Sequence, residues 1–317
     1  MNNQPPLSVK NLYKSFQKRQ FPWCKKVPAF VAVNSISFDL RKGEILGLLG
    51  RNGAGKTTTI QMLLGTMIPT SGTISYFGKD FSDNRSLSLE KVSFASTYVR
   101  LPGRLTVYEN LEFYGKLYAV SYLELRSTID RLLSLFGISH LKSRKASALS
   151  AGEMTRAILV KAFLSSPSIV LLDEPTASLD ADIASVIRDF VLEQRKQQAL
   201  SIIFTSHNMD EVAQVCDRVI VLKDGTIIDD DTPVNLAARV SQTRVCLVSD
   251  EPYKIREYVT RKGLHCTLSG NAVTITVDEH SIAPFLVELA NNNLSYTYIS
   301  IEKPSLEDYF LQITRTT

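Results

Sequence analysis

Ile45-Leu46-Gly47-Leu48-Leu49, followed without a gap by Gly50-Arg51-Asn52-Gly53-Ala54-Gly55-Lys56-Thr57-Thr58, is the stretch that decides the reading of this chain. The first part is a short apolar run without polar alternation. It reads as a strand buried on both faces, as in a parallel sheet. The second part fits Gly-x4-Gly-Lys-Thr, and residues 56–64 continue as a helix. Strand, glycine loop and helix in that order form the context that a P-loop requires. Glycines let the backbone curl with its N–H groups pointing inward at a phosphate, and the helix N-terminus adds positive potential. The Lys56 amine can then reach the β- and γ-phosphates of a nucleotide, and the Thr57 hydroxyl can ligate Mg²⁺. Residues Gly50 through Thr58 are therefore the first candidate nucleotide-binding set.

A second constellation lies downstream in Ile169-Val170-Leu171-Leu172-Asp173-Glu174. An apolar strand there delivers two carboxylates at its C-terminal end, where ligands of parallel sheets bind. Asp173 suits a Mg²⁺ ligand and Glu174 a general base for an attacking water. Residues 200–205 read as a further buried strand, ending in Ser206-His207. Strands separated by helical stretches predict an α/β fold with a parallel sheet covered on both faces. Residues 7–16 and 30–40 alternate and read as strands, with residues 17–28 as an extended loop or hairpin tip between them. Residues 107–143 read as mostly helical. Leu111, Tyr114, Leu117 and Tyr118, then Ile129, Leu132, Leu133 and Phe136, form stripes that predict core packing. After about residue 231 the pattern becomes β-α-β-β-α-β, with a tight hairpin at Gly270-Asn271 and a final helix capped by Ser305. That order predicts a small ferredoxin-like domain over residues 240–317.

Composition narrows the function classes. The chain has 317 residues, 44% hydrophobic and 21% charged, which is ordinary globular usage. The net charge of +4 comes from 36 basic and 32 acidic side chains. No Asp or Glu precedes Asp39, whereas Lys10, Lys14, Lys18, Arg19, Lys25 and Lys26 do; 36 less these six leaves 30 basic against 32 acidic groups. A nucleic-acid binder carries a larger basic excess on its main domain, so no nucleic-acid partner is expected. The basic residues of the 18–26 segment, with Phe21 and Trp23, read either as a contact for anionic lipid headgroups or as a solvated hairpin tip. No apolar run reaches the length of a membrane span, and the stretch from Met1 to Pro6 is polar with two prolines. Both features predict a chain that stays in the cytosol. Cys24, Cys216, Cys246 and Cys266 show no Cys-x-x-Cys pairing and read as reduced thiols.

The order and spacing of these motifs resemble the nucleotide-binding subunits of ABC transporters over about residues 7–230. Leu149-Ser150-Ala151-Gly152-Glu153 is similar to the family signature Leu-Ser-Gly-Gly-Gln, with Arg156 at the matching distance. Ala177-Ser178-Leu179-Asp180 resembles the D-loop, and His207 the switch histidine. The resemblance implies an ABC-type nucleotide-binding domain over residues 1–235, in which a parallel sheet carries an antiparallel β subdomain and a helical subdomain at about 98–165. It implies that Phe16 stacks on adenine and that ATP and Mg²⁺ are the cofactors. It implies a head-to-tail dimer in which Ser150, Ala151, Gly152, Glu153 and Asp180 of one copy complete the site of the other. In that arrangement His207 orients the water beside Glu174. The sequence departs from the family at Thr97, which stands where a Gln usually touches both Mg²⁺ and the membrane partner; residues 98–105 are expected to keep the latter contact. Arg104-Leu105-Thr106-Val107-Tyr108-Glu109-Asn110 and Pro304-Ser305-Leu306-Glu307-Asp308-Tyr309-Phe310 resemble ABC-2-type export ATPases, which serve drug, lipid, polysaccharide or Na⁺ export. That likeness implies a separate integral-membrane permease and a place on the cytoplasmic face of the inner or plasma membrane. The competing class is a soluble ABC ATPase acting on ribosomes or nucleic acid. Its members usually carry two nucleotide-binding domains or long insertions, which this sequence lacks.

Overall fold

The computed structural model describes residues 4–17, 29–240 and 242–315. The basic 18–26 segment, with Phe21, Trp23 and Cys24, lies outside the described residues. Contacts divide the chain into two compact units, Met1–Thr232 and Pro233–Thr317.

The first unit begins with β1 (Leu7–Phe16), β2 (Phe30–Leu40) and β3 (Ile45–Gly50), then α1 (Lys56–Leu63). It continues through β4 (Ser71–Tyr76), β5 (Lys79–Asp80), α2 (Arg85–Leu89) and β6 (Val92–Ser96). Helices α3 (Val107–Leu117), α4 (Tyr122–Leu135) and α5 (Ala151–Phe163) follow. The unit closes with β7 (Ile169–Asp173), α6 (Ala181–Gln198), β8 (Ser201–Thr205), α7 (Met209–Val215), β9 (Arg218–Lys223) and β10 (Thr226–Asp231). The main sheet has the order β10-β9-β3-β8-β7-β6. All of its pairings are parallel except the β9–β10 hairpin. The continuous apolar strands β3, β7 and β8 fill its centre, as burial on both faces demands. A second, antiparallel sheet has the order β2-β1-β4-β5. Its inward residues, such as Leu7, Leu12 and Leu40, share one core with Leu46 and Leu48 of β3 and with Ile60, Met62 and Leu63 of α1. The P-loop helix is thus wedged between two sheets. Tyr76 fixes one end of it by donating its buried hydroxyl to Leu63 O at 2.9 Å.

Helices α3 and α4 bear out the helical reading of residues 107–143, with one correction. Leu111, Ile129, Leu132, Leu133 and Phe136 are buried, but Leu117 is 64% exposed. Six residues on from Leu111 a helix has turned about 240°, which takes Leu117 off the core face. Thr106 caps α3 and Ser150 caps α5, each in a reciprocal box with the glutamate three residues on (Glu109 and Glu153). Those backbone bonds hold the carboxyls of Glu109 and Glu153 below the usual carboxylate range.

The second unit contains α8 (Pro233–Ala237), β11 (Gln242–Val248), α9 (Pro252–Arg261), β12 (Cys266–Ser269), β13 (Ala272–Asp278), α10 (Ile282–Asn291), β14 (Tyr298–Glu302) and α11 (Leu306–Arg315). Its antiparallel sheet has the order β12-β13-β11-β14. That is the split β-α-β arrangement of a ferredoxin-like fold, as the element order predicts. Val245, Leu247, Ile255, Val259, Val273, Ile275, Phe285 and Leu289 form its separate core. Just before β14, Ser249 Oγ donates to Ser295 O and Thr297 N to Val248 O, which ties the entry of that strand to the exit of β11. Cys216 is buried and Cys246 and Cys266 are half-buried, all as free thiols. Among the described residues no helix is long and apolar enough to cross a membrane.

Candidate nucleotide site

Sheet register builds the site. Ser96, Asp173 and Thr205 sit abreast at the C-terminal ends of β6, β7 and β8. The P-loop leaves the same end of β3 and turns into α1 through Gly55, at φ +104°. Arg51, Asn52, Gly53, Gly55, Lys56, Thr57 and Thr58 line one pocket with Asp173, Glu174 and Phe16. Gly50 and Ala54 shape the loop from behind: Ala54 is buried, and a side chain at Gly50 would meet Leu222 O at 2.6 Å. The Lys56 amine donates to Gly50 O, which holds it across the mouth of the loop. Burial pulls the Lys56 ammonium below its ordinary value, and the charges of Glu174 and Asp173 act in the opposite direction.

Asp173 is 5% exposed and accepts hydrogen bonds from Thr205 Oγ1 at 2.7 Å and Ser96 Oγ at 3.3 Å. Glu174 turns away from the strand with φ +54°, in the left-handed region. Its Oε2 lies 2.6 Å from His207 Nδ1, so the pair joins the ends of β7 and β8. The expected adenine platform, Phe16, is 39% exposed, and its ring faces the Lys14 amine at 5.3 Å from the centroid. Sequence reasoning missed its cross-strand partner: Phe30 pairs directly with Phe16 and also lines the pocket, with Ala32 and Tyr98. A lone Phe carries no pattern in the sequence, whereas strand pairing brings Phe30 beside Phe16 at the same pocket.

The remaining candidates lie outside this pocket. Thr97 is half-buried in the turn after β6 and does not line it. Ser150, Ala151, Gly152 and Glu153 form the start of α5, and Asp180 occupies the cap position of α6 without a side-chain cap bond. Gly152 is packed against the D-loop of its own chain, where an added Cβ would lie 3.1 Å from Ser178 O.

A buried carboxylate ties two of these loops together. Glu211 of α7 is 2% exposed, and its Oε2 accepts from Thr176 Oγ1 at 2.8 Å and Ser206 Oγ at 2.7 Å. Its Oε1 has no hydrogen-bond partner among the described residues. Glu211→Ala strands the buried Ser206 hydroxyl and the half-buried Thr176 hydroxyl and should lower the unfolding free energy by about 1–3 kcal/mol in a urea titration. Glu211→Gln keeps an acceptor and removes the buried charge, so its urea midpoint should stay at or above that of the wild type. Equal losses in both variants would show that the charge, not the acceptor, holds the loops.

The ABC transporter family profile matches residues 33–177. The chain is 32% identical over 288 residues to the bacitracin transport ATP-binding protein BcrA of Enterococcus faecalis, covering 89% of this chain and 91% of that protein. It is 27% identical over 319 residues to the linearmycin resistance ATP-binding protein LnrL of Bacillus subtilis (strain 168), covering 98% and 99%. Among solved structures, cbiO1 from Clostridium perfringens, part of the ABC transporter complex cbiONQ, matches with a TM-score of 0.61 and 27% identity, over 81% of this chain and 95% of that one. The chain belongs to the ABC transporter ATP-binding proteins. It is an ATP-binding, ATP-hydrolysing subunit of an ABC transporter.

Proposed function

We propose that two copies of this chain close head to tail around two molecules of ATP and drive export through a separate ABC-2-type permease. The observation that carries the reading is the division of the candidate site. The P-loop, Asp173 and Glu174 line one pocket, with His207 bonded to Glu174, while the capped start of α5 at Ser150 lies outside that pocket. A helix N-terminus is an anion site, and Ser150, Ala151, Gly152 and Glu153 would meet the γ-phosphate only if a second copy presented them. Asp180 would stand at the same junction.

Within each site the P-loop N–H groups and Lys56 bind the phosphates, and the Phe16 ring stacks on adenine. Glu174 takes the proton of the attacking water, and His207 orients that water against the γ-phosphate. The donor set fits Mg²⁺: a Thr57 hydroxyl and one buried Asp173 carboxylate, which accepts from the neutral hydroxyls of Ser96 and Thr205, suit a hard cation that completes its shell with phosphate oxygens and water. When bound, Mg²⁺ neutralises charge building on the phosphates. Thr97, shorter than Gln, could reach the metal only through a water. Export is supported by the likeness to bacitracin transport and linearmycin resistance proteins and by the tail from Pro304 to Phe310. The permease places the chain on the cytoplasmic face of the membrane, and the second unit acts as an accessory module.

A detergent pull-down of the Glu174→Gln form with Mg-ATP tests this reading. A stoichiometric polytopic membrane protein is the expected partner. Recovery of ribosomes, nucleic acid or only a soluble dimer would favour an ABC ATPase that works without a permease.

A further inference from the structure

We infer that Thr205 is the positioning residue that sets both carboxylates of the hydrolytic site through one hydroxyl. The inference rests on the reading above, in which Asp173 faces Mg²⁺ and Glu174 the attacking water.

Strand register places Thr205 directly beside Asp173, and Thr205 is fully buried. Its Oγ1 donates to Asp173 Oδ1 at 2.7 Å. The same oxygen accepts from the Glu174 N–H at 3.1 Å, a proton shared with Thr205 O at 3.1 Å. A hydroxyl can give one bond and take another, so one side chain holds two neighbouring residues at once. Each bond has a separate consequence. The first fixes which oxygen of Asp173 is turned toward Ser96 and which toward Thr205. The second holds the Glu174 backbone at φ +54°, a conformation that costs a residue with a Cβ about 1–2 kcal/mol. That turn swings the Glu174 carboxylate out of the strand line to His207 Nδ1. Without the Thr205 hydroxyl, Asp173 keeps among the described residues only the 3.3 Å bond from Ser96, and Glu174 N–H only the Thr205 carbonyl. Hydrogen-bond partners that orient a ligating carboxylate commonly change metal affinity or activity by about 10–100-fold when removed.

The test compares the full-length wild type with Thr205→Val, which keeps the shape and loses both bonds, and Thr205→Ser, which restores the hydroxyl. Mn²⁺ binding in the presence of ATP is read by EPR. Binding of a fluorescent ATP analogue in EDTA reports the pocket without metal, and kcat and KM are taken from phosphate release. The valine variant should bind the analogue in EDTA like wild type, lose about 10-fold in Mn²⁺ affinity and about 10–100-fold in kcat. Serine should recover both. Wild-type Mn²⁺ affinity and kcat in the valine variant would overturn the inference, as would a serine variant as impaired as valine. If the valine variant fails to fold, Thr205→Ala removes the hydroxyl without setting a methyl group against Asp173 and carries the same comparison. Hydrolysis at the wild-type rate by Glu174→Gln would instead remove the base assignment. Mn²⁺ affinity would still decide whether Thr205 sets Asp173.

Discussion

Glu174→Gln should bring ATP turnover down by about 10²–10⁴-fold while ATP binding stays intact, the range by which a positioned general base accelerates proton transfer. The substitution is nearly isosteric. Glutamine can keep a hydrogen bond to His207 Nδ1, now 2.6 Å from the carboxylate, and the backbone bonds from Glu174 N to Thr205 survive. Only the basic oxygen is lost. Glu174 is also mostly buried, at 15% side-chain exposure, so bulk water is a poor substitute for it. Phosphate release gives the rate and titration with a fluorescent ATP analogue gives the affinity. Turnover close to wild type would mean that another group takes the proton. Weakened binding would mean that Glu174 holds the nucleotide rather than the water.

Gly55→Ala should abolish ATP binding through backbone geometry alone. Gly55 closes the P-loop at φ +104° and hands the chain to α1. A Cβ there would lie 2.5 Å from Ala32 O, a backbone atom of β2 that cannot swing aside. The left-handed conformation adds a cost of order 1–3 kcal/mol. The loop must then move off β2 or change its dihedral angles, and either response turns N–H groups away from the phosphates. Because the neighbouring β2 belongs to the first core, the protein should also lose stability. Parallel measurements of analogue binding and urea midpoint check both effects. Wild-type affinity in a folded Gly55→Ala variant would show that the phosphates do not rely on this turn.

The parts of the site that could be read in advance are those built from adjacent residues. Gly50 to Thr58 curl into a phosphate cradle because glycines and a following helix are local properties of the chain. Asp173 and Glu174 follow an apolar strand that must be buried, so their place at a strand end was also local. The hairpin of β9 and β10 is missing from the sequence reading, although the apolar run Val219–Leu222 and the Asp224-Gly225 turn after it carry its signal. Leu117 breaks the expected stripe because a position six residues after Leu111 does not complete two helical turns, whereas Tyr118, one further on, nearly does.

Sequence by itself determined the α/β class, the P-loop, the two carboxylates and the β-α-β-β-α-β order of the second unit. Tertiary structure alone decided which distant groups serve them. Thr205 meets Asp173 only through the register of β7 and β8, Phe30 meets Phe16 only through strand pairing, and Glu211 joins Thr176 to Ser206 only because α7 packs beneath both loops. The physical reason is range. Turn geometry, capping and burial patterns act over a few residues and leave a trace in the sequence, whereas a hydroxyl thirty-odd positions away has no spacing to announce it until strands align.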